Sequence, residues 1–314
     1  MNKTALGAVT ALTMMLTPCF AQSGGAQGDF AEGIIAHQRE AARDIAAPFA
    51  SLSYSPFVRD QTPADEPTAA QIRIDLELLA PYTRTVRIYA PENGLEKIVP
   101  IAESLGFKVI LGVWLTADDA HNERQIEAAL DLARKHSNVR SLLIGNETTL
   151  HAKDPAPVVR KLVRLLKRVR PRSPVPVSTA EFWHIWRDHP ELVEATDFIA
   201  AHVLPYWEHV AGPDAVDYAL SIHGQLKAAY PDSRILIAEF GWPSAGFESA
   251  TDGQLVQANV LRDFAKRARA KGVEYNLIEA FDQPWKTHEG PVGGHWGMFN
   301  ADREPKLVID GLVY

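Results

Sequence analysis

The sequence predicts an α/β protein, a single-domain (β/α)8 barrel, and three observations predict it. Eight short runs rich in β-branched and aromatic residues alternate with longer stretches of helical period, a pattern that calls for a parallel sheet. Eight is the number of strands that closes such a sheet into a barrel, and 314 residues suit that architecture. No run is followed by a Gly-rich phosphate turn, neither GxGxxG nor a P-loop, so a doubly wound open sheet is disfavoured.

Taken in order, the strand candidates are "FASLSYSPF" (Phe49 to Phe57), "TVRIYAP" (Thr85 to Pro91), "KVILGVWL" (Lys108 to Leu115) and "VRSLLIGNE" (Val139 to Glu147). The second half adds "VPVSTAEFW" (Val175 to Trp183), "FIAAHVLPYW" (Phe198 to Trp207), "ILIAEFGW" (Ile235 to Trp242) and "EYNLIEAFDQPW" (Glu274 to Trp285). Between them lie helices such as Asn122 to His136 and Asp252 to Gly272, the latter stopped by glycine after basic residues. No internal repeat or linker divides the chain. In "RKLVRLLKRVRPR" (Arg160 to Arg172) the apolar residues Leu162, Val163, Leu165, Leu166 and Val169 recur at helical spacing, so its cations form a solvated helix face.

Net charge is −7, which argues against nucleic acid and anionic membrane surfaces as partners. At the N-terminus Lys3 precedes an apolar run that ends in Cys19-Phe20-Ala21, the pattern of a secretory signal peptide rather than a membrane span. The expected layout is a signal peptide over residues 1–21, a lead-in with an N-terminal helix over 22–46, and the barrel over 47–314. Export to the periplasm or beyond follows. The single cysteine, Cys19, falls in the signal, and Pro18 before it is not the small residue that a lipid-attachment site uses. The mature barrel would hold no disulfide and would rest on core packing. A monomer is expected.

Active sites of this barrel class sit at the C-terminal strand ends. Those ends carry Tyr54, Tyr89, Trp114, Asn146-Glu147, Phe182-Trp183, Tyr206-Trp207, Glu239 with Trp242, and Trp285-Lys286. Aromatic faces stack on the apolar faces of pyranose rings, and two carboxylates can flank a glycosidic bond. Glu147 and Glu239, on strands four and seven, which come near each other across the barrel mouth, are therefore the candidate catalytic pair. One must carry a proton to the leaving oxygen while the other attacks as an anion. A barrel that only binds a glycan would need neither.

"LLIGNE", "ILIAEFGWPSAG" and "VRIYAP" resemble strand motifs of glycoside hydrolase family 17, the β-1,3-glucanases and glucanosyltransferases, and the resemblance runs from about Ser53 to Phe299. The tail "FDQPWKTHEGPVGGHWGMF" (Phe281 to Phe299) is similar to the bacterial branch. The resemblance implies a retaining hydrolase, or a transglycosylase, acting on β-1,3-glucan, with Glu239 as nucleophile and Glu147 as acid/base. It implies that Asn146 bonds the sugar 2-hydroxyl, that Tyr206 orients Glu239, and that Tyr89 and Lys286 line the glycone side. Tyr54 and Trp242 complete the expected substrate-binding set. Gln283 departs from the plant pattern, which carries Glu there.

Other constellations are less pointed. The eleven histidines show no HExxH or metal-ligand spacing, so neither a metal nor another cofactor is expected. His202 is either a polar contact near the site or a core histidine. Glu279, inside the eighth run, reads as a buried structural hydrogen-bonding group. Trp183 and Trp186 are either sugar platforms or packing residues, and Ser178 and Ser244 lack the nucleophile-elbow context.

Overall fold

A computed structural model describes residues 47–247 and 253–312, so the expected signal peptide and lead-in lie outside the described residues. Eight parallel strands close into one barrel in sequence order, β1 to β8, with β1 and β8 meeting at Leu52 and Leu277. The strands are β1 (Leu52–Ser53), β2 (Thr85–Ile88), β3 (Lys108–Val113), β4 (Val139–Asn146), β5 (Val177–Phe182), β6 (Ile199–His202), β7 (Ile235–Phe240) and β8 (Glu274–Leu277). The outer helices are α1 (Ala69–Leu79), α2 (Ile98–Ser104), α3 (Asp119–Lys135), α4 (Ala156–Val169), α5 (Trp183–Asp188), α6 (Pro190–Glu194), α7 (Ala215–Ala229) and α8 (Gly253–Lys271). No helix among the described residues is long and apolar enough to cross a membrane.

Several ladders are shorter than the apolar runs that predict them. The first run of nine residues supplies only Leu52 and Ser53, extended by Tyr54, whose N–H donates to the Arg87 carbonyl at 2.8 Å. Pro56 then has no N–H to offer a neighbour. The sixth run stops at His202 because the chain turns at Leu204, whose carbonyl accepts from Trp207. Beyond Leu277 the eighth run leaves the regular ladder: Ile278 bonds back to Phe240, and Ala280 to Ser53.

Alternation along the strands sorts the core into two layers. Ile110, Leu143, Ala180, Phe198, Ala200, Leu236 and Ala238 fill the barrel interior. Val86, Ile88, Ile144, Ile199, Ala201, Ile237 and Phe240 face the helices, where Phe240 stacks on Phe264 of α8 with ring centres 3.8 Å apart. Among the register irregularities of the barrel, two lie near the glutamates, in β4 between Leu143 and Asn146 and in β7 between Ile237 and Phe240. In β7 three residues advance while two advance on β8, which is a bulge. Leu236 and Ala238 point inward, so strict alternation would send Glu239 outward into the helix layer. The extra residue lets Glu239 point inward while Phe240 returns to the helices.

The basic stretch behaves as its period predicts. Val159, Leu162, Val163, Leu166 and Val169 of α4 are buried, with Leu165 half-buried. Its cations meet the acidic face of α3: Lys161 lies 2.7 Å from Asp119, Arg168 pairs with Glu123, and Arg172, just beyond the helix, lies 2.5 Å from Glu127. Exposed pairs of this kind are each worth about 0–1 kcal/mol, so they set surface character more than stability.

Tyr54 is not at the mouth, and its expected substrate contact is corrected here. It is 1% exposed and donates to Asp75 of α1 at 3.1 Å. Burial and the neighbouring Asp75 anion push its phenol up, so it stays a proton donor. Asp75 also takes a two-pronged pair from Arg303, at 2.9 and 2.7 Å, while the same guanidinium donates to the carbonyls of Pro56, Phe57 and Ala301. The knot ties the segment after β1 to the one after β8. Breaking a buried pair from one side leaves an uncompensated charge. Arg303→Met is therefore expected to lower unfolding free energy by about 3–5 kcal/mol in urea titrations, as an unpaired buried Asp75 requires.

Candidate active site

Four strands converge on one cluster at the C-terminal end of the barrel. Arg87 of β2, 1% exposed, reaches across the interior. Its Nη1 donates to Glu239 Oε1 at 3.0 Å and to the Ala238 carbonyl at 2.7 Å, and lies 3.1 Å from His202 Nε2. Its Nη2 donates to Asn146 Oδ1 at 2.6 Å. Tyr89, just past β2, donates its phenol to Glu239 Oε1 at 2.9 Å. The ring of Tyr89 also lies 4.7 Å from the Arg87 guanidinium.

Glu147 follows β4 with φ 48°, in the left-handed region uncommon for a non-glycine residue and concentrated at functional sites. Gly145, at φ 93°, makes the preceding turn possible. Glu181 of β5 holds the next two residues, accepting from the Thr148 N–H at 2.8 Å and the Thr148 and Thr149 hydroxyls at 2.6 and 2.7 Å. Glu147 Oε1 is 2.6 Å from His202 Nδ1. One oxygen of each glutamate and one His202 nitrogen all lie within 4.8 Å of one another.

Such a trio could ligate a metal, but Arg87 already supplies a cation between His202 and Glu239. Because an arginine only donates, its approach makes His202 Nε2 an acceptor and leaves Nδ1–H to donate to Glu147. His202, 0% exposed, thus sits between the two carboxylates, with its Nδ1–H on Glu147 and its Nε2 on Arg87.

The electrostatics set the glutamates apart. Burial pushes Glu239 up, but Arg87, the Tyr89 hydrogen bond and Lys286 together hold it below the usual carboxylate range. Burial and the Glu239 charge push the Tyr89 phenol up, so it remains a donor. Glu147 keeps 18% of its side chain exposed at the rim, against 5% for Glu239. Lys286 is 2.8 Å from Glu279, whose carboxyl burial pushes up to about 7 against the pull of that lysine.

Two expected roles change. Among the described residues the donors to Glu239 are Arg87 and Tyr89, while Tyr206 packs edge-on against Trp207, Trp242 and Trp296. Trp242 is 6% exposed and buried under Tyr206, so it supports the mouth from beneath instead of offering a face to a ligand. Trp186 is likewise a packing residue, donating to the Ala200 carbonyl, and Trp183 donates to Glu208. The exposed aromatic faces are Trp114, 46% exposed, and Trp207, 41% exposed and stacked on Trp296. Arg87 and Glu181 escaped the sequence reading. A lone charged residue in an apolar strand was the available signal for each.

A profile of the BtgE/BtgC glycoside hydrolase domain matches residues 51–297. A glucan 1,3-beta-glucosidase of Schizosaccharomyces pombe is 29% identical over 260 residues, 75% of this chain and 79% of that one. A probable glucan endo-1,3-beta-glucosidase of Aspergillus flavus is 27% identical over 76% of this chain but only 40% of its own length. Among solved structures, a glycoside hydrolase family 17 beta-1,3-glucanosyltransferase from Rhizomucor miehei superposes with TM-score 0.70 at 26% identity, covering 83% of this chain and 96% of that one. A Formosa endo-laminarinase, at 20% identity and TM-score 0.72, covers 84% of this chain and 86% of that one and shares the fold.

Arg87 is one of the groups that favour the Glu239 anion. Removing its charge takes away one of the groups that oppose the burial of Glu239, so Arg87→Met is expected to raise the Glu239 titration. Side-chain 13C NMR against pH, with Glu239→Gln to assign the signal, reads this directly; an unmoved titration would assign the control elsewhere.

Proposed function

From the premise that the chain belongs to the BtgE/BtgC glycoside hydrolase family, as its resemblance to glycoside hydrolase family 17 anticipates, we propose that it processes β-1,3-glucan with retention of anomeric configuration. The observation that carries the reading is the approach of a Glu147 oxygen to within 4.8 Å of a Glu239 oxygen. Retaining glycosidases hold their carboxyl groups about 5–5.5 Å apart, and inverting ones about 6.5–9.5 Å apart to admit a water.

Glu239, held ionised, attacks the anomeric carbon and forms a glycosyl-enzyme as the leaving oxygen takes a proton from Glu147. Glu147 then accepts a proton from the incoming hydroxyl. Its rim position gives it access to both the leaving group and the acceptor, and His202 fixes its orientation from below. Asn146, held by Arg87, is placed to meet a sugar hydroxyl, and Trp114 and Trp207 offer stacking faces.

Whether water or a glucan hydroxyl completes the reaction is a second question. The likeness to a glucanosyltransferase over 96% of that chain favours transfer as the alternative outcome. A defined linear β-1,3-glucan oligosaccharide separates the two: products shorter than the substrate mark hydrolysis, longer ones transfer.

The division of labour is tested by azide. Glu147→Ala should lose about 10²- to 10⁴-fold on natural glucan but still be glycosylated by an activated aryl glycoside. Azide should then restore turnover and yield the β-glycosyl azide. Glu239→Ala should yield the α-azide or nothing. The opposite anomers would exchange the two roles.

Export is part of the same proposal. The Lys3-led apolar run ending at Ala21 supports it, and purified native protein should begin near Gln22 by mass spectrometry outside the cytoplasm. Cytoplasmic protein retaining Met1 would refute this.

A further inference from the structure

A line of hydrogen bonds crosses the barrel floor beneath Glu239. Ser51 donates its hydroxyl to Asn276 Oδ1 at 2.6 Å. Asn276 Nδ2 donates to Ser53 Oγ at 2.8 Å, and Ser53 Oγ lies 2.8 Å from the Tyr89 hydroxyl, which reaches Glu239 Oε1. Ser51, Ser53 and Asn276 are 3%, 1% and 0% exposed, and none of them reaches the glutamates directly.

The direction of every proton in this line can be deduced. Asn276 Nδ2 also sits 3.1 Å from the Ala238 carbonyl, which only accepts, so the amide nitrogen faces Ser53 and the amide oxygen faces Ser51. An ionised Glu239 also only accepts, so the phenol proton belongs to the Tyr89–Glu239 bond. Ser53 Oγ accepts a hydrogen bond from Asn276, which leaves its own O–H to donate to the Tyr89 oxygen. All four donors therefore run one way, from the residue before β1 through β8, to β1 and through the residue after β2, ending on the β7 carboxylate. Hydrogen bonds aligned head to tail polarise one another and strengthen the terminal donor.

We infer that Ser53 and Asn276 are positioning residues for the nucleophile, polarising the Tyr89 phenol so that Glu239 stays ionised inside the barrel. The inference rests on the reading of Glu239 as nucleophile. The other groups that face Glu239 are Arg87, His202 of β6, Glu147 beyond β4, and Lys286 and Glu289 from the segment after β8. All of them stay unaltered in the variants that test it.

The probe is 2,4-dinitrophenyl 2-deoxy-2-fluoro-β-laminaribioside, whose leaving group departs without a proton donor, so its covalent labelling reports the nucleophile and not Glu147. Labelled wild-type protein is digested and the modified residue mapped by mass spectrometry. Ser53→Ala and Asn276→Leu are then compared with wild type in labelling rate against pH and in melting temperature. A weaker donor destabilises the Glu239 anion, so the acid limb of the labelling profile should move up by about 0.3–1 pH unit in both variants. The rate below the limb should fall ~2- to 10-fold. A lowered melting temperature with an unmoved acid limb would make both residues structural and overturn the inference. Should Asn276→Leu fail to fold, the acid limb of Ser53→Ala decides alone. Label on a residue other than Glu239 overturns the nucleophile assignment and this inference with it; label on Glu239 with an unchanged limb overturns this inference only.

Discussion

A buried ion pair organises the barrel mouth. Arg87 and Glu239 meet at 3.0 Å with 1% and 5% of their side chains exposed, and moving both charges out of water costs several kcal/mol each. Attraction alone rarely repays such a cost, so the remaining donors matter. Arg87 spends its two terminal nitrogens on Glu239, the Ala238 carbonyl and Asn146, and Glu239 receives Tyr89 as a second donor. The hydrogen bonds to Asn146 and from Tyr89 that offset desolvation also fix groups near the mouth. The pair is thus better understood as a device for geometry and charge than as a contribution to stability.

That device needs a stiff frame. The backbone departures that aim the glutamates, the bulge in β7 and the left-handed Glu147, are unfavourable on their own and persist because packed structure surrounds them. Phe240 on Phe264 holds the outward side of the bulge, and Glu181 clamps the residues after Glu147. The Arg303–Asp75–Tyr54 knot does similar work at the seam where β1 and β8 close the barrel.

The same surroundings separate two chemically identical side chains. Glu239 lies deep among cations and donors that favour its anion, and Glu147 stands at the rim on a single histidine. His202 touches both, with Nδ1 2.6 Å from Glu147 and Nε2 3.4 Å from Glu239. The proposed roles, an attacking anion in the deep position and a proton carrier at the rim, use that difference in environment.

The barrel was legible in the sequence because strand and helix periods are local properties: eight β-rich runs, separated by helical stretches, permit few other closures. The two glutamates were legible for a related reason, since a carboxylate ending an apolar run is conspicuous. Tertiary structure alone decided which way they point. By alternation from Ala238, Glu239 belongs outside the barrel, and only the pairing of β7 with its neighbours creates the bulge that turns it inward. Tyr54, Tyr206 and Trp242 show the same limit, because a strand-end aromatic has the same sequence signature whether it faces a ligand or packs beneath one. Arg87 was unreadable for a deeper reason: its four partners come from β4, β6 and β7, 59 to 152 residues away along the chain, and a buried charge becomes intelligible only when those partners are brought together.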